Sequence, residues 1–238
     1  MRKLGIIGGV SWASTVLYYE IINKGVAHRL GGLSSASLAI ESLDFAPVAR
    51  FQQNQEWGTV AHIAIDAARR LEDSGAEGLL MASNTMHRVF DEVAGAVSIP
   101  VLHIADSTVD RLMADGRSKI ALLGTDFTMT EPFLRDRYEA VGISFATVDT
   151  GWRREVHRII YEELAAGQVV RESQRKLKSL ITELGKQKTQ AVVLACTELV
   201  FAVDVRANVL PVYDTTAIHA KAAVDWMLSD KDEARAAA

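Results

Sequence analysis

The chain has 238 residues, 49% hydrophobic and 24% charged, a balance that supplies a sizeable globular core. Its formal net charge is −4 with both signs interspersed, which excludes recruitment of nucleic acid or an anionic membrane by bulk charge. A single cysteine excludes an intramolecular disulfide and a Cys-cluster metal site, so Cys196 has to be explained by packing or by reactivity. The start, Met1-Arg2-Lys3, is basic, but the apolar run after it stops at Gly8-Gly9 and Ser11-Trp12. No stretch reaches bilayer-spanning length, and a cytoplasmic protein is expected.

Short apolar strands alternate with amphipathic helices along the whole chain, the pattern of a parallel α/β protein. A strand over 3–8 leads to a helix over 13–29 that stops at Gly31-Gly32, and then to a strand over 36–42. Asp44-Phe45-Ala46-Pro47 feeds helical segments that run to Gly75. A strand over 77–82, a short helix from 86, a strand over 99–103 and a helix ending near Gly116 follow. The series then repeats: strand 118–124, helix 130–141, strand 143–148, helices 152–165 and 170–185, strand 190–195, strand 209–213 and a last helix over 215–229. A polar tail, Lys231-Asp232-Glu233-Ala234-Arg235, is expected to fray.

The two series match in detail. Ala82-Ser83-Asn84-Thr85 follows the apolar run Gly78-Leu79-Leu80-Met81, and Ala195-Cys196-Thr197-Glu198 follows Ala191-Val192-Val193-Leu194. Gly8 to Ser83 is 75 positions, and Gly124 to Cys196 is 72. Two lobes are expected, 1–110 with 214–238 and 111–213, each a parallel sheet flanked by helices. Copies of one unit usually pack about a pseudo-twofold axis, which puts the carboxyl ends of equivalent strands on opposite sides of a cleft where ligands bind. Ser83 and Cys196 would then flank one molecule, and two proton carriers on opposite faces of one carbon are what stereoinversion requires.

Cys196 has two readings. At a strand-to-helix turn, free backbone N–H groups stabilise a thiolate and lower its pKa from about 8.5; alternatively the residue is a small apolar end to a buried strand. Ser83, Asn84 and Thr85 can converge on a carboxylate or cap a helix. Thr197 can cap the next helix, and Glu198 can tune the thiolate, hold a substrate ammonium or favour a helix start. His87, four residues past Ser83, is either a base beside the hydroxyl or a packing residue, with the second weighted more heavily. His103 and His219 read as structural hydrogen-bonding residues. Gly8-Gly9 lacks the third glycine of a dinucleotide loop, Ala13 standing there, and is read as room for close approach of a small anion. No His/Asp/Glu grouping has metal-site spacing.

With Gly8-Gly9-Val10-Ser11-Trp12, Asn84-Thr85-Met86-His87, Leu122-Leu123-Gly124-Thr125, Cys196-Thr197-Glu198 and Pro211-Val212-Tyr213-Asp214-Thr215 in order, the chain resembles the aspartate/glutamate racemase family over about 3–229. It is most similar to the broad-specificity amino-acid racemase branch. The resemblance implies a racemase of two α/β lobes that needs no cofactor or metal, commonly a homodimer, acting on aspartate, glutamate or a similar small amino acid. It implies a thiol after each of the two equivalent strands. Cys196 matches the second, but Ser83 stands where the first cysteine is expected, so Cys196 would serve one face, that of the L-enantiomer, and transfer at the other would be slow or pass through Ser83 and a neighbour. Asn84, Thr85 and Thr197 match carboxylate-binding positions, Gln52 lies in a region that reaches substrate, and Thr125 and Glu198 complete the implied site. The basic pair that often holds a distal carboxylate is absent, with Arg50 out of register and Ala165 where a lysine is frequent.

Two rivals stand beside this reading. A single cysteine at the second position also fits a decarboxylase of malonate-type acids that protonates an enolate. Ser83 also fits a small-molecule binding protein that has lost catalysis.

Overall fold

A computed structural model describes residues 1–236, with side chains described through Ser229. The chain divides into two compact units, Met1–Ile104 with the segment from His219 onward, and Ala105–Ile218. The last two positions of the expected first lobe, 237–238, lie outside the described residues, as do the side chains of the tail expected to fray.

The first unit runs β1 (Leu4–Gly8), α1 (Trp12–Leu30), β2 (Leu38–Ser42), α2 (Phe45–Gln53), α3 (Trp57–Asp73), β3 (Gly78–Met81), a 3-10 turn (Thr85–Val89), α4 (Phe90–Gly95) and β4 (Val101–Leu102). The second contains most of α5 (Ile104–Ala114), then β5 (Lys119–Gly124), α6 (Asp126–Thr130), α7 (Pro132–Glu139), β6 (Ser144–Phe145), α8 (Thr150–Arg158), a π-helical turn (Ile159–Glu163), a 3-10 turn (Leu164–Ala166), α9 (Arg171–Lys186), β7 (Ala191–Ala195), a 3-10 turn (Leu199–Phe201) and β8 (Val212–Asp214). The last helix, α10, spans Thr215–Ala236, seven residues past its expected end at 229.

Each unit holds a four-stranded parallel sheet, ordered β2-β1-β3-β4 in one and β6-β5-β7-β8 in the other. The orders correspond strand for strand, as the sequence repeat requires. Central strands buried on both faces read as continuous apolar runs, and the alternation of side chains then divides each between two helix layers. Ile7, Leu79 and Met81 face one cluster with Val60, Ala64, Ala67, Ala68 and Leu71 of α3. Leu4, Ile6, Leu80 and Ala82 face another, with Tyr18 and Ile22 of α1 and Ala220, Ala223 and Val224 of α10. The alanines of α3 favour helix and leave room for it to lie close on the sheet.

In the second unit Val192, Leu194 and Cys196 share a cluster with Ala121 and Leu123 of β5, Val156 of α8 and Leu177, Leu180, Ile181 and Leu184 of α9. Cys196 thus continues the alternation of β7. In the repeat, Leu79, Met81 and Ser83 occupy the places of Val192, Leu194 and Cys196.

Several elements depart from the sequence expectation. The helix expected over 130–141 breaks at Glu131, because Pro132 opens α7 at its first turn, where a missing N–H costs nothing. The strand expected over 143–148 pairs only at Ser144 and Phe145. The helix expected over 152–165 ends at Arg158 in the π-helical turn, where the Leu164 N–H reaches back to the carbonyls of Ile159 and Ile160. Among the described residues, no helix is long and apolar enough to cross a membrane.

Candidate active site

Ser83, Asn84 and Thr85 form the turn after β3, all three buried. Asn84 stands at the start of the 3-10 turn without capping it through its side chain. Gln52, 1% exposed, donates its Nε2 hydrogen to Met86 Sδ at 3.5 Å, which brings α2 onto the turn that carries Ser83. Gln52, Ser83, Asn84 and Thr85 are therefore gathered at the carboxyl end of β3 within the first unit.

His87 is not the base for Ser83. Its Nδ1–H donates to the Ser83 backbone carbonyl at 2.8 Å, and its Nε2 accepts the Ile104 N–H at 3.1 Å, which sets the neutral tautomer and ties the turn to Ile104 of the same unit. The ring stacks on Phe90 and lies edge-on to His103. His219, wholly buried, accepts from the Tyr18 hydroxyl at 2.9 Å through Nδ1 and donates to the Leu102 carbonyl at 3.2 Å through Nε2, the structural role expected of it.

The glycine turn leaves no room for side chains at Gly8 and Gly9. A Cβ at Gly8 would meet Thr15 Cγ2 at 2.6 Å, and one at Gly9 would meet the Leu43 carbonyl oxygen at 2.1 Å. The space is already taken by the protein: the Gly9 N–H donates to Thr15 Oγ1 at 2.8 Å, so the glycines serve compact turning. At the equivalent Gly124, Thr128 Oγ1 and the Ala195 carbonyl fill the same place.

In the second unit Gly124 pairs with Ala195, which sets the next residues, Thr125 and Cys196, side by side at the carboxyl edge of the sheet. The Thr125 hydroxyl caps α6 by accepting the Thr128 N–H at 3.4 Å. Glu198 folds back over β7: its Oε2 accepts from Cys196 Sγ at 2.9 Å and from Thr197 Oγ1 at 2.9 Å. Cys196 (6% exposed), Thr197 and Glu198 form one buried hydrogen-bonded group.

That geometry reverses the expected tuning of the thiol. Burial pushes the Cys196 thiol well up, and the charge and hydrogen bond of Glu198 push it further. The backbone N–H groups of Glu198 and Leu199 pull the other way, as the turn predicts, but are outweighed. The resting sulfur is S–H with a carboxylate acceptor in contact. The packing reading of Cys196 fits its place in the core cluster, and the expected lowering of its pKa is overturned by burial and by the Glu198 carboxylate.

The sequence reading missed Tyr161. The π-helical turn packs its ring against the cluster that includes Cys196, and burial first, with the negative charge of Glu198, pushes its phenol up. His157, one turn earlier, lies 4.7 Å from the Tyr161 ring between centroids, and its Nδ1 accepts the Asp126 N–H at 3.1 Å.

The sequence model of the Asp/Glu/Hydantoin racemase family matches residues 7–223. A crystal structure from Yersinia pestis assigned to the Asp/Glu racemases is 42% identical, with a TM-score of 0.88 over 96% of this chain and 100% of that one. An aspartate racemase homologue from Pyrococcus horikoshii OT3 is 32% identical, with a TM-score of 0.79 over 95% and 99% of the two chains. The broad specificity amino-acid racemase RacX of Bacillus subtilis is 26% identical over 165 residues, 69% of this chain and 71% of RacX. Sheet order, repeat and sequence agree, and the chain belongs to the Asp/Glu/hydantoin racemase family.

Proposed function

We propose that this chain is an amino-acid racemase that works without pyridoxal phosphate or metal, on aspartate, glutamate or a similarly small amino acid. The observation that supports it most is the Cys196 Sγ–Glu198 Oε2 hydrogen bond of 2.9 Å, a buried thiol with its proton acceptor in contact at a sheet's carboxyl edge. In this reading the thiol proton passes to Glu198, and the thiolate takes the α-proton of the substrate: the C–H bond breaks, the S–H bond forms, and the electron pair spreads onto the substrate carboxylate. Asn84, Thr85 and Thr197, with Gln52 and Thr125, are assigned to substrate contact. A donor aimed at such developing charge is worth about 3 kcal/mol in the transition state.

Cys196 serves the L-face and Ser83 the other. An alcohol ionises far less readily than a thiol, so L-substrates exchange their α-proton faster than they invert. The expected enzyme is a cytoplasmic homodimer. Nuclear magnetic resonance of α-deuteration in heavy water, over both enantiomers of a panel, tests this. L-forms should exchange first, and Ser83→Cys should speed exchange of the D-forms by about a hundredfold. Equal exchange of both enantiomers by the wild-type protein rejects the assignment of faces, and ligand stabilisation without exchange favours a binding protein. The lone cysteine at the second position supports a second reading, decarboxylation of malonate-type acids, which predicts CO2 release from an arylmalonate without amino-acid exchange.

A further inference from the structure

One face of α9 in the second unit carries Arg171, Gln174, Arg175 and Lys178. Their spacing sets them along one side of the helix over about 10 Å. All four line a cavity of about 300 Å³. A second cavity, of about 320 Å³, shares Gln174 and Lys178 with the first and is also lined by Val200, Phe201, Ala202 and Val203, from the 3-10 turn after β7 and the residues that follow it. The two form one groove, with cations on one wall and the exposed Phe201 ring on the other.

These cations do not complete ion pairs within the fold. Lys176, on the neighbouring face of α9, reaches Glu155 at 3.0 Å and Glu172 at 3.3 Å. Among the described residues, the side chains of Arg171, Arg175 and Lys178 reach no carboxylate, and the Gln174 amide makes no hydrogen bond. Asp204 also lines the groove, but its Oδ1 accepts the Arg206 N–H at 2.9 Å. The wall keeps a surplus of positive charge in a chain whose formal net charge is −4. A concavity of this size suits a small ligand better than a flat protein face. Guanidinium groups pair with phosphate through two parallel hydrogen bonds, and an aromatic ring offers a stacking face to a flat base.

We propose that this groove binds a nucleoside phosphate, with its phosphates on Arg171, Arg175 and Lys178 and its base against Phe201. Binding there does not depend on the chemistry of Cys196.

Isothermal titration calorimetry of the full chain in magnesium-free buffer tests this with ADP and UDP as probes, beside pyrophosphate, adenosine and a hexaglutamate peptide. One of the nucleotides should bind at least about tenfold tighter than pyrophosphate or adenosine. Arg171→Gln and Arg175→Gln should each weaken it about tenfold, as loss of a hydrogen bond to a charged group does. Phe201→Ala should weaken the nucleotide by a similar factor and leave pyrophosphate unchanged. Lys186→Gln removes one charge from the last turn of α9, outside the groove, and should change nothing. Thermal melts matching the wild type separate these effects from loss of fold. Failure of both ADP and UDP to bind overturns the proposal. So does equal weakening by Arg175→Gln and Lys186→Gln, which would reduce binding to bulk charge. Pyrophosphate bound as tightly as the nucleotide rejects it in favour of free phosphate, and tighter binding of hexaglutamate rejects it in favour of an acidic peptide.

Discussion

Glu198 acts on Cys196 in two opposed ways, and the balance between them can be measured. Its negative charge and its acceptance of the thiol hydrogen both favour S–H over S⁻, so the carboxylate holds the sulfur uncharged at rest. The same oxygen is the place for the proton to go when the sulfur must act as a base. Glu198→Gln keeps the shape of the side chain and removes the charge. The thiol should then ionise at lower pH, so that thiol modification near neutrality speeds up about tenfold, since one pKa unit is a factor of ten. Exchange of the α-proton should slow by about ten- to a hundredfold, because the general-base partner is lost. The two rates are expected to move in opposite directions. If Glu198→Gln slowed both, the carboxylate would be helping the thiolate, contrary to the geometry.

At the scale of elements, a glycine ends each first strand, β1 at Gly8 and β5 at Gly124, and neither has room for a side chain. A Cβ at Gly124 would meet Thr128 Oγ1 at 2.2 Å and the Ala195 carbonyl oxygen at 2.5 Å. The threonine can rotate, but the carbonyl belongs to β7, which Gly124 pairs, so β5 and β7 would have to part just beneath Cys196. Gly124→Ala should cost about 1–3 kcal/mol in urea unfolding, as overpacked sites do. Gly95→Ala, at the end of α4 with open space at the Cβ, is the control and should be neutral or slightly stabilising. The strands around these turns were legible in the sequence because a parallel strand covered on both faces is an unbroken apolar run, as Ala191-Val192-Val193-Leu194 is. That the two sheets share one strand order follows from the repeat. The π-helical turn was not legible, since Ile159-Ile160-Tyr161 has the composition of an ordinary buried helix and only the backbone bonds of Leu164 distinguish the two. That Ser83 and Cys196 follow the strands β3 and β7 was legible, while the direction of thiol tuning was not. It depends on Glu198 turning back onto Sγ, a choice of rotamer that spacing does not encode.

At the scale of the whole chain, the first unit carries a pH liability that the second lacks in the same form. His219 of α10 is wholly buried between Tyr18 and the Leu102 carbonyl, and burial lowers its pKa from 6.5 to about 4, with the Leu102 hydrogen bond acting weakly against it. The fold therefore holds the ring neutral, while the unfolded chain takes up a proton below 6.5. Stability from this residue is full above pH 6.5 and is lost as pH falls from there towards 4, by about 3 kcal/mol over the whole interval. His157 in the second unit is depressed by burial too and contributes with the same sign, while Asp214, raised by burial, acts with the opposite sign. Glu155, held down to about 2 by Arg158 and Lys176, loses its contribution only below the ordinary carboxylate range. The His219 contribution is isolated by comparing wild type with His219→Gln, whose amide can keep one of the two hydrogen bonds. The variant should be less stable at pH 7.5, and the gap should narrow steadily in urea titrations taken down to pH 5. A gap that stayed constant over that range would mean that the ring is protonated equally in the folded and unfolded chains. Burial of Tyr18 and His219 would then have to be explained by packing alone, with the hydrogen bonds to Tyr18 and Leu102 tolerating an imidazolium.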